Sequence, residues 1–114
     1  MGRKPDGYGK KTSDCGDTIE LFLEIRKGVV KSAKYDVDGC NFTLACARAV
    51  TALALGCVLG EVKAATTSEK IDETLGGLPE HNRHCAMLAS EAMYEAVTDA
   101  AITSREPWRK LYRK

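Results

Sequence analysis

The stretch TIELFLEIRKGVVKSAKYDVDGC, residues 18 to 40, determines the fold that we expect for this chain. On both sides of Lys27-Gly28, apolar residues alternate with polar ones, which is the pattern of half-buried β-strands. The apolar positions are Ile19, Leu21, Leu23 and Ile25 in the first half, and Ala33, Tyr35 and Val37 in the second. Because Lys27-Gly28 is typical of a turn, the two halves should form an antiparallel hairpin.

The register of this hairpin can be predicted, because facing residues of paired strands lie on the same side of the sheet. The apolar positions match when Ile19 faces Val37, Leu21 faces Tyr35 and Leu23 faces Ala33. This register leaves a three-residue loop, Lys27 to Val29. Extended in the other direction, it places Cys40 opposite Gly16. Cys15 and Cys40 should therefore meet at one end of the hairpin.

The remaining chain predicts helices that cover one face of this sheet. We expect a buried helix from Thr43 to Val58, a short helix capped by Ser68, and a long helix from Asn82 to Ala101. An apolar stripe on the last helix comprises Leu88, Ala92, Ala96 and Ala100, with Ala89, Met93 and Val97 beside it. Residues 1 to 14 should be a mobile arm or a short edge strand. The predicted fold class is α+β, a small antiparallel sheet packed on one face by helices.

Length and charge limit the classes of function. A chain of 114 residues favours one domain, which we place at residues 15–104, after a flexible arm (1–14) and before a basic tail (105–114). The net charge of +1 does not favour nucleic acid or a membrane as partner. The tail is either solvated or a docking strip for an acidic partner.

No secretory signal or membrane span is visible, so a cytoplasmic protein is expected.

The cysteines carry the chemical information. There are five, an odd number in a chain without a secretory signal, which favours metal or thiol chemistry over a disulfide framework. Three stand at the ends of predicted elements: Cys15 before the first strand, Cys40 between the second strand and the first long helix, and Cys85 in the first turn of the last helix. Helix N-termini stabilise thiolates, which are the metal-binding form of cysteine. A site of three thiols is therefore predicted, against the alternative of three small buried side chains.

Other residues near this site allow two interpretations. Asp17 is either an oxygen ligand or simply a charged residue at the start of a strand. His84 either acts at the site, as a ligand or a proton carrier, or is a surface residue. Cys46, about one and a half turns after Cys40, could bring a further thiol near the site. Cys57 is interpreted as core, because it lies about 16 Å along the helix from Cys46. His81 should lie in an exposed loop.

Three motifs resemble the IscU / NifU N-terminal scaffold family. They are Cys15-Gly16-Asp17 before a strand, Gly39-Cys40 at the end of the hairpin, and His84-Cys85-Ala86-Met87-Leu88-Ala89 at the start of the last helix. The resemblance covers the chain from Cys15 to about Ala101 and implies a SufE/NifU-like fold. It identifies Cys15, Cys40 and Cys85 with the cluster-ligating cysteines of that family, Asp17 with its site aspartate and His84 with the histidine before the third cysteine.

The resemblance implies a platform rather than a catalyst. A cysteine desulfurase would deliver sulfur, an iron donor would supply iron, and a transient [2Fe–2S] cluster would form and pass to apo iron–sulfur acceptor proteins. Either Asp17 or His84 would be the fourth ligand, and zinc could occupy the site in the protein as isolated. The segment Leu78-Pro79-Glu80-His81-Asn82 departs from the family's chaperone-recognition stretch, which weighs against handover through a specialised Hsp70 chaperone. The further cysteine-bearing domains of full-length NifU are not expected.

Two other classes of function fit a site of this kind. One is a zinc-dependent sulfur acceptor, or sulfurtransferase, resembling SufU. That branch normally has an insertion before its second cysteine region and lacks the histidine at the position of His84, so the sequence favours the scaffold. The other is a zinc-stabilised interaction module without chemistry of its own.

Overall fold

The computed structural model describes residues 6–13, 16–78 and 83–105, and these residues form an α+β fold. Their sheet is antiparallel with three strands in the order β1 (Gly7–Thr12), β2 (Thr18–Arg26) and β3 (Val29–Asp38). The helices are α1 (Asn41–Ala54), α2 (Val62–Ala65, after a 3-10 turn at Leu59–Glu61), α3 (Ser68–Thr74) and α4 (Arg83–Arg105). The fold class predicted from the sequence is confirmed.

The hairpin forms in the predicted register. Ile19 faces Val37, Leu21 faces Tyr35 and Leu23 faces Ala33. The predicted three-residue loop is wrong, because a bulge after Glu24 shifts the pairing so that Arg26 faces Val29. Lys27 and Gly28 alone form the turn, and both have positive φ, 54° and 77°. A two-residue turn of that kind matches the twist of the paired strands better than a longer loop.

The core lies between the inner face of the sheet and the helices. Ile19, Leu21 and Leu23 of β2 are fully buried. The apolar stripe predicted on the last helix is buried as well: Leu88, Ala89, Ala92, Met93, Ala96, Val97 and Ala100. Helices α1 and α4 pack on the sheet, with α3 against them. No helix of the described residues is both long and apolar enough to cross a bilayer.

A mobile arm or a short edge strand was expected near the N-terminus, and residues 7 to 12 form the edge strand. Gly7 and Gly9 allow β1 to approach α4 very closely, since a Cβ on Gly9 would lie 2.2 Å from the carbonyl oxygen of Ala92. The backbone N–H of Tyr8 also donates to Asp99 Oδ2 of α4 (2.8 Å). This strand therefore depends on main-chain fit rather than on large apolar side chains.

The helix boundaries differ from the prediction at two places. Helix α1 ends at Ala54 rather than Val58, because the chain after it turns back and pairs with the start of β3. The Gly56 N–H donates to the carbonyl oxygen of Val30, and the Val30 N–H donates to the carbonyl oxygen of Cys57 (both 2.9 Å). Thr67, not Ser68, caps α3, because the Thr67 hydroxyl accepts from the N–H of Lys70 (3.3 Å). The segment Leu59–Ala65, for which no helix was predicted, contains the 3-10 turn and α2.

Candidate metal centre

The end of the hairpin that carries Cys40 is organised by two loops. Between β1 and β2, the Ser13 N–H donates to the carbonyl oxygen of Asp17 (2.8 Å), and the Asp17 N–H donates to the Ser13 hydroxyl (3.2 Å). Gly39 then leads from β3 into Cys40, which occupies the N-cap position of α1. The start of α4 brings Cys85 to the same place. Three segments that are distant in sequence therefore meet at one end of the sheet.

Asp17, Cys40 and Cys85 form a compact group of metal-binding atoms. One carboxylate oxygen and the two sulfur atoms all lie within 4.8 Å of one another. Cys40 is exposed, Asp17 is half-buried and Cys85 is fully buried. A group of this size can hold one metal ion or one edge of a small cluster, and it combines soft thiolate ligands with one hard oxygen ligand.

The two thiols differ in acidity. Hydrogen bonding from the Thr43 hydroxyl lowers the pKa of Cys40, and the backbone groups of Thr43 and Phe42 in the first turn of α1 add to this effect without forming a full capping bond. Burial raises the pKa of Cys85, and the nearby Cys40 and Asp17 raise it further, partly offset by a hydrogen bond with Thr43. Of these two thiols, Cys40 is therefore the one that ionises first in the metal-free protein.

The other predicted site residues are placed as follows. His84 is exposed, and its Nε2 lies 3.7 Å from the sulfur of Cys85. Cys15 and His81 lie outside the described residues, as do the basic residues that follow Arg105. The structure thus brings together Asp17, Cys40 and Cys85, with His84 beside Cys85.

Of the two cysteines inside the apolar region, Cys46 lies near the site as expected, whereas Cys57 differs from the expectation. Cys46 is fully buried, and burial, with the neighbouring Cys85 and Cys40, raises its pKa to about 12. Cys57 was interpreted as core but is half-buried, because it follows the end of α1 in the segment that pairs with β3. Its thiol donates to the carbonyl oxygen of Leu53 (3.3 Å). Of these two cysteines, Cys46 is thus the core residue.

Sequence reasoning missed Thr43. This residue is fully buried, and its hydroxyl oxygen contacts Cys40, Cys85 and Asp17. One signal was available: Thr43 lies three residues after Cys40, and residues at that spacing share a helix face. The predicted helix began at Thr43, however, so Cys40 was not recognised as its N-cap position.

Comparison with known proteins agrees with this architecture. The family model described as NifU-like N terminal domain matches residues 5–105. The chain belongs to this family. Several relatives carry names that refer to iron–sulfur cluster assembly, and others are named nitrogen fixation protein NifU.

Three of these relatives come from an archaeon, a bacterium and a yeast. The chain is 30% identical over 95 residues to iron-sulfur cluster assembly scaffold protein IscU 1 of Archaeoglobus fulgidus, covering 82% of this chain and 61% of that protein. It is 29% identical over 86 residues to the scaffold protein IscU of Escherichia coli, covering 75% and 66%. It is 32% identical over 95 residues to iron sulfur cluster assembly protein 2, mitochondrial, of Saccharomyces cerevisiae, covering 82% and 59%. The chain thus spans about three fifths to two thirds of these relatives.

A solved structure supports the fold independently. The crystal structure of a nitrogen-fixing NifU-like protein (N-terminal) from Brucella abortus superposes with a TM-score of 0.65 at 20% identity, covering 86% of this chain and 81% of that one. At this identity the likeness concerns the fold alone.

Proposed function

We propose that this protein is a platform on which an iron–sulfur cluster is assembled, held for a limited time and passed on. The observation that carries the proposal is the convergence of Cys40, Cys85 and Asp17 within 4.8 Å, in a chain whose relatives are named cluster assembly scaffolds. Those names favour a scaffold over the zinc-dependent sulfur acceptor and over the zinc-stabilised module. The cluster is the cargo of such a protein rather than a permanent cofactor.

In this proposal, Cys15 supplies the third thiolate. Cys15 precedes Asp17 by two residues in sequence, and two residues so separated have Cα atoms no more than about 7.6 Å apart. Cysteine and aspartate side chains can bridge that distance to a shared ligand. Three thiolates and one weaker ligand hold a cluster firmly enough to assemble it, and they leave one position at which it can be replaced.

Asp17 is supported as that weaker ligand, because its carboxylate lies close to the sulfur atoms of both Cys40 and Cys85. His84 is the alternative, because its Nε2 lies 3.7 Å from the sulfur of Cys85 and the ring could turn towards a metal there. A hard carboxylate oxygen is poorly matched to a cluster that prefers thiolates. Ligation by Asp17 would therefore favour release, which a scaffold requires.

The proposal extends to the cargo and the partners. The cargo would be a [2Fe–2S] cluster, with sulfur from a cysteine desulfurase, iron from an iron donor, and apo iron–sulfur proteins as acceptors. The protein would act as a cytoplasmic platform without catalysis of its own, its scaffold domain comprising residues 15–104 together with the edge strand β1. Zinc could fill the empty thiolate site during isolation. The altered segment at residues 78–82 weighs against handover through the specialised Hsp70 chaperone.

Anaerobic reconstitution with iron and sulfide tests the proposal. The reduced protein should acquire visible absorption with iron and sulfide in equal amounts, whereas Cys15→Ser, Cys40→Ser and Cys85→Ser should each fail to hold a stable cluster. Cys57→Ser is the matched control, because its thiol bonds to a backbone carbonyl away from the site. Tight zinc binding in anaerobically purified protein that never accepts a cluster would refute the proposal and support a zinc protein.

A further inference from the structure

The hydroxyl of Thr43 contacts all three side chains of the candidate metal centre. Its oxygen is 3.3 Å from Cys40 Sγ, 3.5 Å from Cys85 Sγ and 3.2 Å from Asp17 Oδ2. Asp17 and Cys85 are 26 and 42 residues away in sequence. Thr43 thus contacts a side chain from each of the three segments that meet here.

This arrangement differs from that of the other buried threonines of the described chain. Thr51 and Thr66 are also buried, and their hydroxyls donate to backbone oxygens of their own helix turn, Thr51 to Ala47 (3.0 Å) and Thr66 to Val62 (2.8 Å). That bond is the usual way to satisfy a hydroxyl inside a helix. The partners of the Thr43 hydroxyl are instead the metal-binding side chains.

The hydrogen-bonding capacity of one hydroxyl matches this role. A hydroxyl donates one proton and accepts at two lone pairs. In the metal-free site, Thr43 donates to the carboxylate of Asp17 and can accept from thiols of Cys40 and Cys85. When the thiols lose their protons to bind metal, the same O–H can donate to a thiolate or remain on the carboxylate. Thr43 therefore keeps a partner in both states.

We propose that Thr43 is a positioning residue, whose hydroxyl holds Cys40, Cys85 and Asp17 together before metal binds and orients them once it has bound. The inference deepens the proposed function and rests on it. Residues that hydrogen-bond to metal ligands fix ligand orientation, and their loss typically weakens metal affinity about 10- to 100-fold. The competing explanation is that Thr43 only fills space beneath the site.

Three variants separate the hydroxyl from the space it fills. Thr43→Val keeps the volume and removes the hydroxyl, whereas Thr43→Ser keeps the hydroxyl and removes a methyl group. Thr51→Val is the matched control, since it removes a buried hydroxyl from the same helix about 12 Å further along it. Thermal unfolding of each variant checks that the fold is kept.

The first readout is titration of the reduced, metal-free protein with Co(II), followed by its thiolate charge-transfer and ligand-field absorption. Thr43→Val should weaken binding about 10- to 100-fold and change the spectrum, and Thr43→Ser should restore both. Thr51→Val should match the wild type. Wild-type affinity and spectrum in Thr43→Val, or an equal loss in Thr43→Ser, would overturn the inference.

The second readout needs no metal. Dibromobimane fluoresces after both its arms have reacted with neighbouring thiols, and peptide mass spectrometry identifies the bridged pair. Bridging of Cys40 to Cys85 should be efficient in the wild type, Thr43→Ser and Thr51→Val, and reduced in Thr43→Val. Equal bridging in Thr43→Val would overturn the inference. If the wild type bound no Co(II) through thiolates while reduced bridging persisted in Thr43→Val, the proposed function would fail and the positioning role would stand.

Discussion

The carboxylate of Asp17 occupies the space that the missing side chain of Gly39 leaves open. A Cβ on Gly39 would lie 2.8 Å from Asp17 Oδ1 and 3.1 Å from its Cγ. This contact between the loop before β2 and the end of β3 directs Asp17 towards Thr43 and the thiols. The glycine that precedes Cys40 thus determines where the carboxylate can lie.

Replacing the carboxylate should stabilise the bound cluster. Asp17→Ala removes a hard ligand and one negative charge from a site that already has thiolates, so the cluster should persist several-fold longer in air and transfer more slowly to an apo-ferredoxin. Decay of visible absorption and transfer followed by circular dichroism measure both. Asp36→Ala, at an exposed position of β3, is the control. A cluster that decays faster in Asp17→Ala would show that Asp17 stabilises the site.

Gly39→Ala should produce a similar change without touching any ligand. The new methyl group would overlap the end of the Asp17 side chain, which can move, and would force the carboxylate away from the thiols. Cluster lifetime should therefore shift in the same direction as in Asp17→Ala, by a smaller factor. Gly60→Ala is the control, since a Cβ there meets nothing within 4 Å. An unchanged lifetime in Gly39→Ala would contradict the described position of Asp17.

Thiol reactivity should separate Cys40 from its neighbours. The pKa of Cys40 is lowered and that of Cys85 is raised, while burial raises that of Cys46 to about 12. Cys40 should thus become reactive at a lower pH than an ordinary thiol does. At neutral pH it should be alkylated at least about tenfold faster than Cys85 or Cys46. Pulsed iodoacetamide labelling of the reduced, metal-free protein with peptide mapping measures the rates. Faster labelling of Cys85 would contradict the assignment.

Stability should respond to serine at Cys46 and hardly at Cys57. Cys46→Ser buries a hydroxyl where the sulfur has no hydrogen-bond partner among the described residues, at a cost of about 1–3 kcal/mol in the free energy of unfolding. Cys57→Ser places its hydroxyl next to the carbonyl oxygen of Leu53 and should change that free energy by less than about 0.5 kcal/mol. Urea unfolding of the metal-free variants gives both values. A larger loss at Cys57 would reverse this ranking.

Sequence periodicity predicted the parts of the fold that depend on the burial of one face. The pairing of Leu21 with Tyr35 follows from alternation alone, because a slip by one residue would expose the inner face. The buried stripe from Leu88 to Ala100 follows from helical spacing in the same way. These features are properties of each segment and its nearest partner, and a single sequence contains them.

The rest depends on contacts between distant segments. Helix α1 ends early because Gly56 and Cys57 bond to Val30. Gly56, with a φ of 84°, is a local stop signal, but the partner strand lies 26 residues earlier in the chain. The role of Thr43 is visible only when α4 brings Cys85 beside it. Alternation predicted that Cys40 lies at the hairpin end, but the position of the Asp17 carboxylate follows from the absence of a side chain at Gly39.

The contact of β1 with α4 imposes an order on how the chain can fold during synthesis. Tyr8 bonds to Asp99, 91 residues later, and Gly7 packs against Ala96 and Ala100. The β2–β3 hairpin is local and can form as soon as Asp38 has left the ribosome. The surface of α4 on which β1 packs is complete only after the chain has been made through Ala100. Strand β1 is therefore translated first of the three strands but is the last to gain all of its contacts.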